Sequence, residues 1–303
     1  MQRLFVEKDA PLYKHTLQLI HTAWGSIKTP HVFPGPQPIS IERRHFDILK
    51  KNDYVVCEKT DGVRHMLLVF MYEHKKVSMF VNRALEMFET KIRFSKNTYD
   101  GTLFDGELYD DKYMIYDVVV ANGKHIGHMN FLDRLDAMEA IIKSAMTMKS
   151  DDIKIKLKKF HALIDFDIFL NDYLPSVSQN IDGLVFTPVH EPIRIGTHET
   201  LFKWKEKDHN TIDFLVRFEN NRWRLYVQDK GQLVFESILD VPPEWIKNDT
   251  IVECQYITEN RLMYWKPLKQ RTDKTHPNNR RTFYRTLFNI KEDIKIEEFL
   301  VCR

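Results

Sequence analysis

The sequence predicts an α+β protein, antiparallel sheets first and a small closed β-barrel towards the C-terminal end. Three observations carry this. Residues 54–120 are a series of apolar runs of strand length, separated by Gly, Asn and Asp. Residues 211–266 hold five further short runs at regular spacing, the pattern of a small barrel of the oligonucleotide-binding type. Between these groups lies one clearly amphipathic stretch, residues 134–148, with apolar side chains at 135, 138, 141, 142 and 145 or 146.

Taken in order, residues 11–28 show helical spacing through Leu12, Leu17, Leu19, Ile20 and Trp24. The proline-rich stretch 30–38 reads as an extended connector. Ser40 reads as the N-cap of a short helix reaching about Lys51. Tyr54, Val55, Val56 and Cys57 begin a strand, and residues 64–72, 77–82, 102–109 and 113–120 follow as strands. A second group covers 181–189 and 201–205. The barrel strands fall at 212–218, 223–228, 233–238, 251–257 and 262–265, with helical patterns near 281–289 and 296–300. The expected division is a domain over 1–210 and a barrel over 211–283, with residues 284–303 packing on one or the other.

Composition narrows the class. At 43% hydrophobic and 29% charged, the 303 residues suit a folded globular protein. The net charge of +2 is unremarkable, but residues 261–285 carry eight Lys and Arg against one acid, a field that attracts phosphate. Cys57, Cys254 and Cys302 are far apart and share no metal spacing, which suits reduced thiols inside a cell. The longest apolar run, 66–72, is too short to span a bilayer, and residues 1–10 lack the apolar core of a signal peptide, so no membrane partner is expected.

The most informative segment is Glu58-Lys59-Thr60-Asp61-Gly62-Val63-Arg64. It sets one lysine at the end of an apolar strand, directly before an Asp-Gly turn, where a side chain is presented on a rigid base. Lys59 is therefore a candidate nucleophile. Further on stand Phe104-Asp105-Gly106-Glu107-Leu108, Tyr116-Asp117, Asp182-Gly183-Leu184-Val185, Lys203-Trp204-Lys205, and Arg271-Thr272-Asp273-Lys274 with Pro277-Asn278. Glu107 and Asp182 are oxygen donors suited to Mg²⁺ or Mn²⁺. Asp61 and Asp105, each beside a glycine, read as turn residues.

Six such motifs in this order resemble those of the covalent nucleotidyltransferases, the superfamily of mRNA capping guanylyltransferases and polynucleotide ligases. Residues 33–43 are similar to the lead-in of the compact capping enzymes of large DNA viruses, and the resemblance runs from about residue 30 to residue 300. It implies a nucleotidyltransferase domain of ATP-grasp-like antiparallel sheets with a C-terminal OB-fold. It also implies attack of Lys59 on the α-phosphate of GTP, a lysyl-GMP intermediate, and transfer of GMP to a 5′-diphosphate RNA. A free lysine has a pKa of about 10.4, so the attacking amine needs cationic neighbours or desolvation. Lys203, Lys205 and a divalent metal are the cations the resemblance places nearby. Further implied are Arg64 and Arg83 on ribose and phosphate, Tyr116 and Val185 on the two faces of the purine, and Lys158 at guanine O6, with Lys156 or Lys159 as alternatives. The barrel would carry Arg271, Asp273 and Lys274 as nucleotide-binding residues, of which the arginine and lysine would grip the outer phosphates as it closes, and Asp213 is a further acid of the family pattern.

Two other readings fit parts of the pattern: an ATP-dependent polynucleotide ligase with the same lysyl-nucleotide chemistry, and an inactive RNA- or nucleotide-binding module. The motif Arg271-x-Asp273-Lys274 with Pro277-Asn278, the lead-in, and Tyr116-Asp117 favour capping. The glycines are scattered through turns, without a cofactor loop for methyl transfer, and no array of alternating glutamates suggests a triphosphatase. An RNA triphosphatase and a cap methyltransferase are expected as separate partners.

Overall fold

The computed structural model describes residues 4–145, 153–259, 262–272 and 274–303. The chain divides into two units, Met1–Ile39 with Ile48–Lys203 and Arg303, and Ser40–Asp47 with Trp204–Cys302.

The first unit opens with α1 (Pro11–Trp24), in which Pro11 sits where a missing N–H costs nothing. The helix stops short of residue 28 because the chain turns at Gly25, and the N–H groups of Gly25 and Ser26 return to the carbonyls of Thr22 and His21. Next come β1 (Pro36–Ser40), α2 (Phe46–Lys51) and β2 (Tyr54–Thr60). Strands β3 (Val63–Tyr72), β4 (Lys75–Asn82), β5 (Met87–Glu89), β6 (Thr102–Tyr109), β7 (Lys112–Ala121) and β8 (Lys124–His125) follow. Then come α3 (Phe131–Lys143), β9 (Lys154–Leu157), β10 (His161–Ala162), the one-turn α4 (Phe166–Ile168), β11 (Ile181–Pro188) and β12 (Gly196–Trp204).

Two sheets result. One has the order β5-β4-β3-β6-β7-β8, with β9 added in parallel beside β7, and the other has the order β1-β12-β11-β2-β10. Successive residues of β3 enter two different cores: Leu67 and Val69 pack with Met138 and Ile141 of α3, while Met66, Leu68 and Phe70 pack with Ile20 and Trp24 of α1. The antiparallel sheet is thus buried on both faces, and its central strand is an unbroken apolar run rather than an alternating one.

Three local expectations are corrected. Ser40 is not an N-cap; it ends β1, and the short helical turn that follows is capped by Glu42 and His45, each accepting at the other's backbone N–H. The segment 36–40 is an edge strand, not only a connector, because Pro36 and Pro38 alternate with residues that keep an N–H. Helix α3 starts at Phe131, since Asn130 accepts from the Asp133 N–H at 2.9 Å, and residues 146–148 of the expected helix lie outside the described residues.

The second unit is a five-stranded antiparallel sheet of β13 (Thr211–Glu219), β14 (Arg222–Asp229), β15 (Gln232–Leu239), β16 (Thr250–Glu259) and β17 (Leu262–Gln270). Its order is β15-β14-β13-β16-β17. The edge strands β15 and β17 approach each other, yet among the described residues no ladder joins them, so the expected closed barrel is an open, curled sheet. Helix α5 (Arg280–Glu292) covers its core, with Phe283 packed against Phe214 and Trp265. Beyond it Phe299 packs on Phe46 and Trp204, and Arg43 holds Glu298 in a two-point ion pair. Among the described residues no helix is long and apolar enough to cross a membrane.

Candidate active site

Lys59 is the penultimate residue of β2, and β2 pairs with β11 so that Lys59 faces Gly183 and Cys57 faces Val185. Cross-strand partners share a face, so Lys59, Cys57 and Val185 lie on one side of this sheet. The pairing slips between Ile181 and Gly183, a bulge that contains Asp182. There Asp182 Oδ1 accepts from Lys59 Nζ at 2.7 Å, with 22% and 15% of the two side chains exposed. The pair is sheltered yet reachable. Cys57 beneath it is buried, and burial pushes its thiol up to about 12.

Glu107 is in electrostatic reach of this pair. Burial raises its pKa, Lys158 and Lys59 oppose that rise, and the carboxylate of Asp182 adds to it. Among the described residues no group of three or more His, Cys, Asp or Glu side chains forms a ready metal cage.

Lys158 is buried rather than solvated. Its Nζ donates to the Glu58 carbonyl at 2.5 Å and to Thr60 Oγ1 at 2.8 Å, and lies 3.7 Å from Glu58 Oε1. It therefore holds the residues on either side of Lys59. Glu58 is fully buried and also accepts from Tyr173 Oη and Gln179 Nε2, both at 3.1 Å. The alternatives Lys156 and Lys159 are exposed, with Lys159 over the Tyr173 ring.

Arg64 stands opposite Glu107 in the β3–β6 ladder. All three of its guanidinium nitrogens donate: Nε to Asp105 Oδ1 at 3.0 Å, Nη2 to Asp105 Oδ2 at 2.5 Å and Nη1 to the Pro36 carbonyl at 2.8 Å. Asp105 Oδ1 also accepts from Tyr116 Oη at 2.8 Å. Burial, with the Asp105 charge in addition, keeps the Tyr116 phenol protonated and donating. Asp105 is thus a buried strand residue and not the turn residue expected from its neighbouring glycine. Gly106 serves close packing instead, since a Cβ there would lie 2.7 Å from both the Met114 carbonyl and the Tyr113 ring. Arg83 is exposed, 3.4 Å from Gln37 Oε1 and in electrostatic reach of Arg64, Tyr116 and Glu107.

In the second unit Asp213 is buried and accepts from Arg271 Nη1 at 3.0 Å and from Lys274 Nζ. Asn278 locks the same residue by exchanging hydrogen bonds with its backbone. Glu253 accepts from Thr211 and Arg271, and these with Lys269 hold its carboxyl below its usual value in spite of burial. Asp273 lies outside the described residues. Lys203 ends the first unit on β12, and Lys205 follows the division.

The structure thus gathers Lys59, Glu107, Lys158 and Asp182 in one place, and Arg64 and Tyr116 around Asp105. Sequence reasoning passed over Asp105, Glu58, Thr60 and Pro36. Only the position of Asp105 within the strand-like run 102–109, directly after Leu103-Phe104, hinted at burial, because a lone carboxylate in such a strand needs a cation.

Comparison with known proteins adds a family. The model described as mRNA capping enzyme, catalytic domain, matches residues 7–207, and that described as mRNA capping enzyme, C-terminal domain, matches residues 209–300. The mRNA-capping enzyme subunit alpha of Schizosaccharomyces pombe is 28% identical over 90% of this chain and 80% of its own length. The mRNA-capping enzyme of Mus musculus is 27% identical over 81% of this chain, which spans 45% of that protein. Among solved structures, the ligase domain of LigD from M. tuberculosis covers 79% of this chain at 13% identity and a TM-score of 0.38.

Proposed function

Because the chain belongs to the mRNA capping enzyme family, and is an mRNA guanylyltransferase acting on GTP and RNA, we propose that Lys59 is its nucleophile and Asp182 the group that holds it. The observation that carries this reading is the 2.7 Å contact between Lys59 Nζ and Asp182 Oδ1 on the bulge of β11.

In the first step Nζ attacks the α-phosphorus of GTP. A nitrogen–phosphorus bond forms, and the bond from that phosphorus to the oxygen bridging to the β-phosphate breaks, releasing pyrophosphate. Asp182 Oδ1 is the adjacent acceptor for the proton that the amine loses. In the second step an oxygen of the RNA 5′-diphosphate attacks the same phosphorus, the nitrogen–phosphorus bond breaks, and Lys59 recovers its proton.

Tyr116 and Val185 are both partly exposed and apolar, which suits the two faces of a purine. Lys158 with Thr60 offers a donor pair where guanine carries an oxygen and adenine an amine. Glu107 and Asp182 are two coupled carboxylates, a set that fits a hard cation taking its remaining ligands from phosphate and water. Mg²⁺ or Mn²⁺ held there would supply charge neutralisation at the α-phosphate. Lys203 and Lys205 would add positive charge at the reacting phosphate, and Arg64 and Arg83 would face ribose and phosphate. Arg271 and Lys274 would exchange Asp213 for the outer phosphates, with Asp273 between them in the chain. Removal of the RNA γ-phosphate and methylation of the cap are assigned to other active sites.

The test is incubation with labelled GTP or ATP and a divalent metal, followed by denaturation and mapping of the modified residue. Label from GTP on Lys59 is expected. Retention of label from ATP alone overturns the reading.

A further inference from the structure

Asp105 has no assigned role, yet its carboxylate, 1% exposed, joins three strands at the site. From β6 it takes two hydrogen bonds from Arg64 on β3 and one from Tyr116 on β7. Arg64 is also pinned from its other side. Phe33 stacks against the guanidinium at 5.3 Å, and Pro36 accepts from Nη1. Gly35, at φ +124°, passes so close that a Cβ would lie 2.7 Å from Nη2. The cation cannot swing, so neither can the carboxylate it holds, and the phenol ring is fixed through its hydroxyl. A ring held only by packing would be free to tilt about its last side-chain bond.

We propose that Asp105 is a positioning residue for GTP: it locks the Tyr116 ring and the Arg64 guanidinium into one rigid body, so that the nucleotide meets a preset surface. This rests on the reading that Tyr116 stacks on the purine. A preset surface lowers the ordering cost of binding and does not touch the reacting atoms. The signature is therefore a changed dependence on GTP concentration at a nearly unchanged maximal rate.

The experiment measures lysyl-GMP formation against GTP concentration for Tyr116→Phe, Asp105→Asn, the double variant and Tyr116→Ala, each checked by thermal unfolding. Tyr116→Phe removes only the hydroxyl that reaches Asp105. It is expected to raise KM for GTP roughly three- to tenfold, the scale of one hydrogen bond, with kcat within about twofold. Asp105→Asn is expected to raise KM at least as far, and adding Tyr116→Phe to it should raise KM no further. If Asp105→Asn does not fold, Tyr116→Phe decides alone. A parental KM in Tyr116→Phe, beside a raised KM in Tyr116→Ala, overturns the proposal and leaves the stacking reading standing. A parental KM in Tyr116→Ala as well sinks both.

Discussion

Lys59 Nζ and Asp182 Oδ1 meet at 2.7 Å across a slip in the β2–β11 ladder, although 123 residues separate them in sequence. In a regular ladder Asp182 would project to the face opposite Gly183 and its partner Lys59; the bulge lets it turn back. Lys59→Ala should abolish covalent labelling by GTP while leaving the free energy of unfolding within about 1 kcal/mol of the parent. Asp182→Asn should slow labelling by roughly a hundredfold or more, since it removes the proton acceptor and a metal ligand together. Both are read by quenched-flow labelling beside a denaturant titration.

Glu107 gives a trade between stability and activity. Burial raises its pKa above the unfolded value, so its stabilising contribution is complete below the unfolded pKa and is lost as pH rises through the folded one. At neutral pH the ionised group is therefore a cost. Glu107→Gln should be more stable than the parent at pH 7 to 8, with the advantage shrinking towards about pH 4.5. Labelling with GTP should be lost at every pH. Equal stability of the two proteins from acid to neutral pH would refute this.

Lys158 braces β2 through Glu58 and Thr60. Lys158→Ala removes the cation beside the buried Glu58 and leaves the Thr60 hydroxyl without its donor. A loss of about 3 kcal/mol is expected, from stranding a buried charge. Lys158→Ala with Glu58→Gln should recover part of it in a double-mutant cycle. A fully additive double variant would mean that the two groups do not interact.

Gly106 tolerates no side chain. Gly106→Ala sets a Cβ 2.7 Å from the Met114 carbonyl and the Tyr113 ring, both fixed in the core. A destabilisation of at least about 2 kcal/mol is expected, since neither neighbour can move aside. Thermal unfolding of the purified variant checks it.

Cys57 and Cys254 should resist alkylation in the folded protein, because burial raises both thiols to about 12. Rapid modification by iodoacetamide at pH 7.5 without denaturant would contradict this. Modification that appears only through the unfolding transition supports it.

The strands were legible in the sequence because their apolar runs are long and bounded by turn residues, as at β3 and β7. The candidate nucleophile, Lys59, stands out in the sequence because its motif is local. What escaped notice depends on contacts far apart in the chain. Nothing near Asp105 announces that its partner is Arg64, or that Pro36 completes the arginine's hydrogen bonds. The resemblance singles out Lys158, but what sets it apart from Lys156 and Lys159 shows only when β9 is laid beside β7 and leads it towards β2. The closed barrel was expected from the number and spacing of the strands and from the resemblance, whereas closure depends on pairing between the two edge strands, β15 and β17, which composition does not specify.

The division of the chain has a practical side. The second unit is not one continuous stretch: Ser40–Asp47 belongs to it as well as Trp204–Cys302. A polypeptide starting at residue 204 would lack Arg43, which clasps Glu298, and Phe46, which lies on Phe299. Recombination between relatives by a single crossover there would bring together mismatched halves of one core. Swaps that carry the early octapeptide along with the late segment are the ones that keep it whole.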